Sequence, residues 1–196
     1  YTSVMRPRGA DSGEEAPPTA AQWSRIRQIR DSLRRAHPAR RDSVFNGADD
    51  DGSGVVAMLE IAQHLASLPA APRRPVLFVF HTAEEKGLFG AQWFTDHPTV
   101  PRDSIVAQVN IDMIGRGGAD DLPEGGPGYV QVIGSRRLSS ELGDLVESVS
   151  ARGGHGMRFD YQYDANGHPD QYYCRSDHYE YVRYGIPVVF LTTGGH

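Results

Sequence analysis

At 196 residues, 39% of them hydrophobic, the chain is long enough for one globular domain with a true core and too short to require two. A net charge of −5 with mixed signs excludes the general basic footprint of a nucleic-acid partner and suits cations better. No apolar run approaches the ~18 residues that span a bilayer, which excludes membrane insertion by a helix, and the single cysteine, Cys174, excludes an internal disulfide or a zinc site of several thiolates.

Residues 1–18 carry Pro7, Gly9, Gly13, Pro17 and Pro18, a turn-rich start without the pattern of a signal peptide, so the expectation is a soluble chain. From Thr19 to about Ala36, Trp23, Ile26, Ile29 and Leu33 recur at helical spacing with arginines around the other faces, which predicts a surface helix inside an insertion at about 17–41. Ser53 and Gly54 open a second helix with Val55, Leu59, Ala62 and Ala66 on one face, and Pro69 and Pro72 stop it.

The continuously apolar run Val76-Leu77-Phe78-Val79-Phe80 reads as a strand covered on both faces, followed by a short helix over 87–97. Ile105 to Ile111 and Val130 to Ile133 are further strands, and Ser139 to Ala151 is a helix. An edge-like segment near Met157 to Tyr163 precedes a helix from Asp177 to Tyr184 and a last strand over Pro187 to Leu191. Strands alternating with helices predict an α/β fold: a mostly parallel or mixed central sheet with helices on both faces, in three layers.

Three of these strands run straight into polar groups: His81-Thr82-Ala83-Glu84-Glu85, Asp112, and Thr192-Thr193-Gly194-Gly195-His196. In open parallel sheets the ligand crevice lies outside the carboxyl ends of the strands, so these groups are expected to meet there. Asp49-Asp50-Asp51 precedes a helix start, where a capping turn explains the acidity as well as a site does. The run Asp49 to Glu60 also satisfies a bare calcium-loop pattern, but no helix enters it and Glu60 falls within the predicted helix. Glu84 and Glu85 repel each other unless a cation intervenes; one can bind it while the other serves as base to a water.

Asn46-Gly47-Ala48-Asp49-Asp50-Asp51-Gly52-Ser53-Gly54, Thr82 to Gly90, Asn110-Ile111-Asp112-Met113-Ile114-Gly115-Arg116, and Arg175-Ser176-Asp177-His178 through Pro187 together form four motifs in order. In these the chain resembles the co-catalytic zinc aminopeptidases of metallopeptidase family twenty-eight. The resemblance implies the central part of a zinc-exopeptidase catalytic domain, incomplete at both ends, and a peptide or small aminoacyl substrate. It implies two zinc ions, with Asp50 bridging them, Glu85 on one and Asp112 on the other, and Glu84 as general base. Asp49 and Asp51 would be structural, with a cis peptide after Asp50. It also implies an extracytoplasmic place, periplasmic or secreted; oligomeric state is left open.

The family's His-x-Asp motif has no clean counterpart. Tyr1-Thr2-Ser3-Val4-Met5-Arg6 aligns with it, placing Val4 at the histidine ligand and Arg6 at its orienting aspartate, unless the motif lies upstream of Tyr1. His196 reads as a neighbour of the last histidine ligand. Carboxylates without nitrogen suit zinc poorly, which leaves one ion or none as open readings and a catalytically impaired binding domain as the competing function. His81, His97, His155 and His168 belong to no motif.

Overall fold

The computed structural model describes residues 19–36, 46–117 and 125–193. The expectations attached to Val4 and Arg6, to His196, and to the flanks of the 17–41 insertion lie outside these residues.

Helix α1 runs Ala20–Ala36. Thr19 and Gln22 close its start reciprocally: Thr19 N donates to Gln22 Oε1 at 2.8 Å and Gln22 N donates to Thr19 Oγ1 at 3.3 Å. None of its residues is buried, so it is a surface helix as its spacing predicts. Helix α2 runs Gly52–Ser67, capped by Asp51, whose side chain accepts from Gly54 N. Here the expectation fails in part. Gly54 alone is buried, while Val55 and Leu59 of the apolar face stay exposed.

The predicted strand at 76–80 is also corrected. The segment belongs to no strand ladder, and Val76, Leu77 and Phe80 are each at least half exposed. Its apolar run encodes a demand for cover, and no described strand pairs with it. A 3-10 turn at Glu84–Lys86 follows, then α3, Phe89–Asp96. Strand β1 is Gln108–Ile111, β2 is Tyr129–Ile133, α4 is Ser140–Arg152, β3 is Arg158–Asp160, α5 is His178–Val182 and β4 is Val188–Thr192. Each keeps the predicted type with ends shifted by up to three residues.

The sheet order is β1-β4-β2-β3. β4 runs parallel to β1 and antiparallel to β2, and β3 runs parallel to β2, so the sheet is mixed. Alternation along β2 and β4 supplies both faces. Val130, Val132 and Val189 pack with Val146 of α4, and Met157, Phe159 and Leu191 close round them. Ile133 and Phe190 face the other way, onto Tyr163 and Tyr172, and Val188 packs with Tyr181 of α5 and Phe94 of α3. Helices thus cover both faces of the two central strands. Val132 and Ile133 are wholly buried; each such side chain contributes roughly 1.5–3 kcal/mol. β1 and β3 are edges, and the carboxyl ends of β1 and β4 emerge side by side, as Gln108 to Ile111 pair with Val188 to Leu191.

Candidate active site

The acidic loop between Gly47 and Ser53 folds onto the residues that follow β1. Asp51 Oδ1 accepts from Gly54 N at 3.0 Å and from Met113 N at 3.2 Å, so one carboxylate caps α2 and anchors the far chain. Ser53 Oγ donates to Asp49 O at 2.7 Å and accepts from Ile114 N at 3.0 Å. Asp49 Oδ1 accepts from Gly115 N at 2.7 Å, and Arg116 pairs with Asp49 at 3.2 Å. Gly54 is needed where it stands, since a Cβ there would lie 2.5 Å from both the Ile111 carbonyl and the Asp51 carboxylate. With Asp49 and Asp51 engaged in this way, Asp50 alone of the three is exposed. The Asp50–Asp51 peptide is cis.

Asp112 continues β1, its amide donating to Leu191 O at 3.2 Å. Its Oδ2 accepts from Ser176 Oγ at 2.7 Å, while its Oδ1 is buried without a protein partner. Burial raises the carboxyl to about 6 against the lowering effect of the Ser176 hydroxyl. Glu84 opens the 3-10 turn, with Ala83 before it at φ 57° and Gly87 after it at φ 107°. Burial pushes the Glu84 carboxyl up to about 7, reinforced by the charges of Asp112, Asp177, Glu85 and Asp50. Glu85 is raised first by a hydrogen bond shared with Asp50 and then by that neighbour's charge.

Sequence reading gave Asp177 to the start of α5. It forms no capping bond, its Oδ1 is buried without a partner, and burial with the charge of Asp112 brings it to about 7. Asp177 and Ser176 are the site residues that motif reading left without a role; a helix-start aspartate with no serviceable cap was the available signal. Thr192 and Thr193, expected among the groups facing the crevice, instead donate through Oγ1 to the Met113 carbonyl at 3.3 and 3.0 Å. They are fully committed to holding the backbone after Asp112. Their neighbours Gly194 to His196 lie outside the described residues.

None of the histidines without a motif enters the crevice through a hydrogen bond to its carboxylates. His81 sits 3.0 Å from Tyr181 Oη, His97 stacks on Trp93, and His168 packs against Tyr163. His178 is completely buried against Phe190, and burial lowers it to about 3, which keeps it neutral. Glu60 is exposed within α2, so the calcium-loop pattern does not fold into a calcium loop.

The donor types present fit a divalent cation. Glu85 is raised by its hydrogen bond to Asp50 and by that neighbour's charge, a crowding that a cation would relieve, and the orphaned Asp112 Oδ1 offers a further oxygen. Among the described residues no three His, Cys, Asp or Glu side chains form a group that could hold a metal ion. No described helix is long and apolar enough to cross a membrane.

The sequence model of Peptidase family M28 matches residues 30–196. A vacuolar membrane protease of Yarrowia lipolytica (strain CLIB 122 / E 150) is 36% identical over 72 residues, 37% of this chain and 7% of the relative. A probable leucine aminopeptidase 2 of Aspergillus oryzae (strain ATCC 42149 / RIB 40) is 28% identical over 158 residues, 76% of this chain and 28% of the relative. The crystal structure of the Legionella pneumophila LapA aminopeptidase superposes with a TM-score of 0.59 at 27% identity, covering 81% of this chain and 38% of that one. The chain therefore spans less than a third of the Yarrowia and Aspergillus relatives and 38% of the Legionella structure. The expectation of an extracytoplasmic place is overturned: relatives from several yeasts and fungi are named vacuolar membrane proteases, and their match covers only part of this chain.

Proposed function

Because the chain belongs to peptidase family M28, we propose that it forms the acidic half of a zinc-dependent aminopeptidase site. In this reading Asp50, Glu85 and Asp112 hold the metal, and Glu84 is the general base. The chain is then the central part of one catalytic domain, with α1 in an insertion. The observation that carries the reading is the gathering of Glu84, Glu85, Asp50, Asp112 and Asp177 within mutual electrostatic reach, with Glu84 raised to about 7.

Zinc bound there would supply Lewis acidity to a water and to the peptide carbonyl. Glu84 does the proton work. Near neutral pH its carboxyl is close to half ionised, the condition in which one group both accepts and returns a proton efficiently. It takes the proton from the attacking water as oxygen bonds to the carbonyl carbon. It then gives that proton to the leaving nitrogen as the C–N bond breaks. In this reading the substrate at the ends of β1 and β4 is a peptide or small aminoacyl compound.

The competing reading, a binding domain without catalysis, draws on the lack of a three-ligand group among the described residues. One experiment separates the two. Full-length protein in zinc-supplemented buffer should hold zinc and hydrolyse aminoacyl arylamides, and Glu84→Gln should lower kcat by roughly 10²- to 10⁴-fold with zinc retained. A zinc content near zero, or turnover indifferent to Glu84→Gln, would sink the proposal.

A further inference from the structure

Along β1 and its continuation, Gln108, Asn110 and Asp112 occupy alternate positions and share one face of the sheet. Their side chains are joined in sequence. Gln108 Nε2 donates to Asn110 Oδ1 at 3.4 Å, Asn110 Nδ2 donates to Ser176 Oγ at 2.8 Å, and Ser176 Oγ donates to Asp112 Oδ2 at 2.7 Å. Asn110 and Ser176 are both buried. The direction of the chain follows from the inventory of protons. An ionised carboxylate only accepts, so Ser176 must give Asp112 its one proton; the serine oxygen is then left to accept, and only the amide nitrogen of Asn110 can serve it. The Asn110 orientation is therefore fixed by chemistry as well as by placement.

We infer that Asn110 is a positioning residue: by holding the Ser176 proton on Oδ2 of Asp112, it reserves the buried, unpartnered Oδ1 for a divalent cation. The inference rests on the zinc-peptidase reading and adds to it a residue two positions away that touches neither metal nor substrate. A buried hydrogen-bonded network that is fully directed orients its end group; one reversed link disorders the whole.

Asn110→Asp reverses that link while conserving shape. The new carboxylate competes with Asp112 for the Ser176 proton. Simple electrostatics makes the opposite forecast, because an added negative charge near the site attracts a cation. The two accounts thus differ in sign.

The test is zinc affinity of the full-length, metal-free protein at pH 8, read by competition with a chromophoric chelator, with thermal melts to check folding. The relay predicts about 10- to 100-fold weaker zinc binding for Asn110→Asp and a smaller loss for Asn110→Leu, which leaves Ser176 free to wander. It also predicts that Asn110→Leu costs nothing further once Ser176→Ala is present, since Asn110 acts through that hydroxyl. Zinc binding by Asn110→Asp as tight as wild type or tighter overturns the relay alone, as do additive losses in the double variant. A wild-type protein that binds no zinc overturns the metal reading and the relay together. Should Asn110→Asp fail to fold, the Asn110→Leu and Ser176→Ala pair decides the matter.

Discussion

The loop from Asp49 to Ser53 is tied to residues 113–116 by bonds that cross more than sixty positions of sequence, through Asp51, Ser53 and Asp49. The Glu84–Lys86 turn is held differently, by backbone bonds among residues 82–90: Gly87 N and Leu88 N to Glu84 O at 2.9 Å, and Gly90 N to Thr82 O at 3.0 Å. One half of the crevice is therefore part of the fold's long-range bracing, and the other is a local device set upon it. In the proposed reading Asp50 belongs to the first half and Glu84 with Glu85 to the second: damage to the first half should spread into global stability, and damage to the second should stay local to the site.

The largest effect expected from this contrast belongs to Asp51→Ala. It strips the acceptor from Gly54 N and Met113 N at once and frees the residue after Asp112 from its anchor. Charged acceptors of this kind contribute roughly 1.5–3 kcal/mol each, and N-cap loss about 1 kcal/mol. Some of this is offset because burial already raises the Asp51 carboxyl. A net loss of about 2–3 kcal/mol in urea unfolding is expected, with zinc binding weakened in parallel. A variant as stable as wild type would remove the distinction between the two halves.

Gly90→Ala probes the other half. A Cβ at Gly90 would lie 2.2 Å from the Thr82 carbonyl oxygen, which is backbone and cannot swing aside. The start of α3 must lift away from the Thr82 backbone, carrying the Glu84 turn with it. The expected stability loss is about 1–3 kcal/mol, no larger than for Asp51→Ala, while kcat and zinc affinity both fall, because the turn carries Glu85 as well as Glu84. Zinc affinity and kcat both equal to wild type would show that the turn is not held in place by the contact of Gly90 with Thr82.

These two halves were not equally legible in the sequence. Asp51 as a cap could be read from Ser53-Gly54 and the apolar spacing behind them, because capping is a matter of three residues. That the same oxygen also receives Met113 N could not, since nothing in residues 49–54 refers to position 113. The strand type of β1, β2 and β4 was visible in their apolar runs, yet an equally apolar run at 76–80 pairs with no described strand. Pattern reports what a segment would bury, while pairing depends on which neighbour is at hand. The polar residues after β4 illustrate the same limit. Thr192 and Thr193 looked like crevice groups by position, and they spend their hydroxyls on the Met113 carbonyl. Asn110 and Ser176 stood in recognised motifs, but their partnership is a contact across 66 positions.

The smallest expected effect concerns pH, and it tests whether the halves titrate apart. Asp112, Glu84 and Asp177 all have carboxyls raised in the folded state, to about 6, about 7 and about 7. A raised carboxyl favours the fold while it is protonated. Its contribution is complete below the unfolded value near 4 and disappears as pH rises through the folded value. In chelator, the melting temperature should therefore fall between about pH 5 and pH 8, by an amount on the order of 2–4 °C per kcal/mol and reduced by solvent screening at half-exposed Glu84. Glu84→Gln should remove the share of the fall that runs on to about pH 7 and leave the share that levels off near pH 6, which belongs to Asp112. A divalent cation added at pH 8 should restore the melting temperature, because it replaces the protons as the counter-charge. A melting temperature that climbs from pH 5 to pH 8 without metal would mean that these carboxylates do not crowd one another. The electrostatic strain shared between the braced loop and the local turn, which is what makes a cation welcome there, would then have no basis.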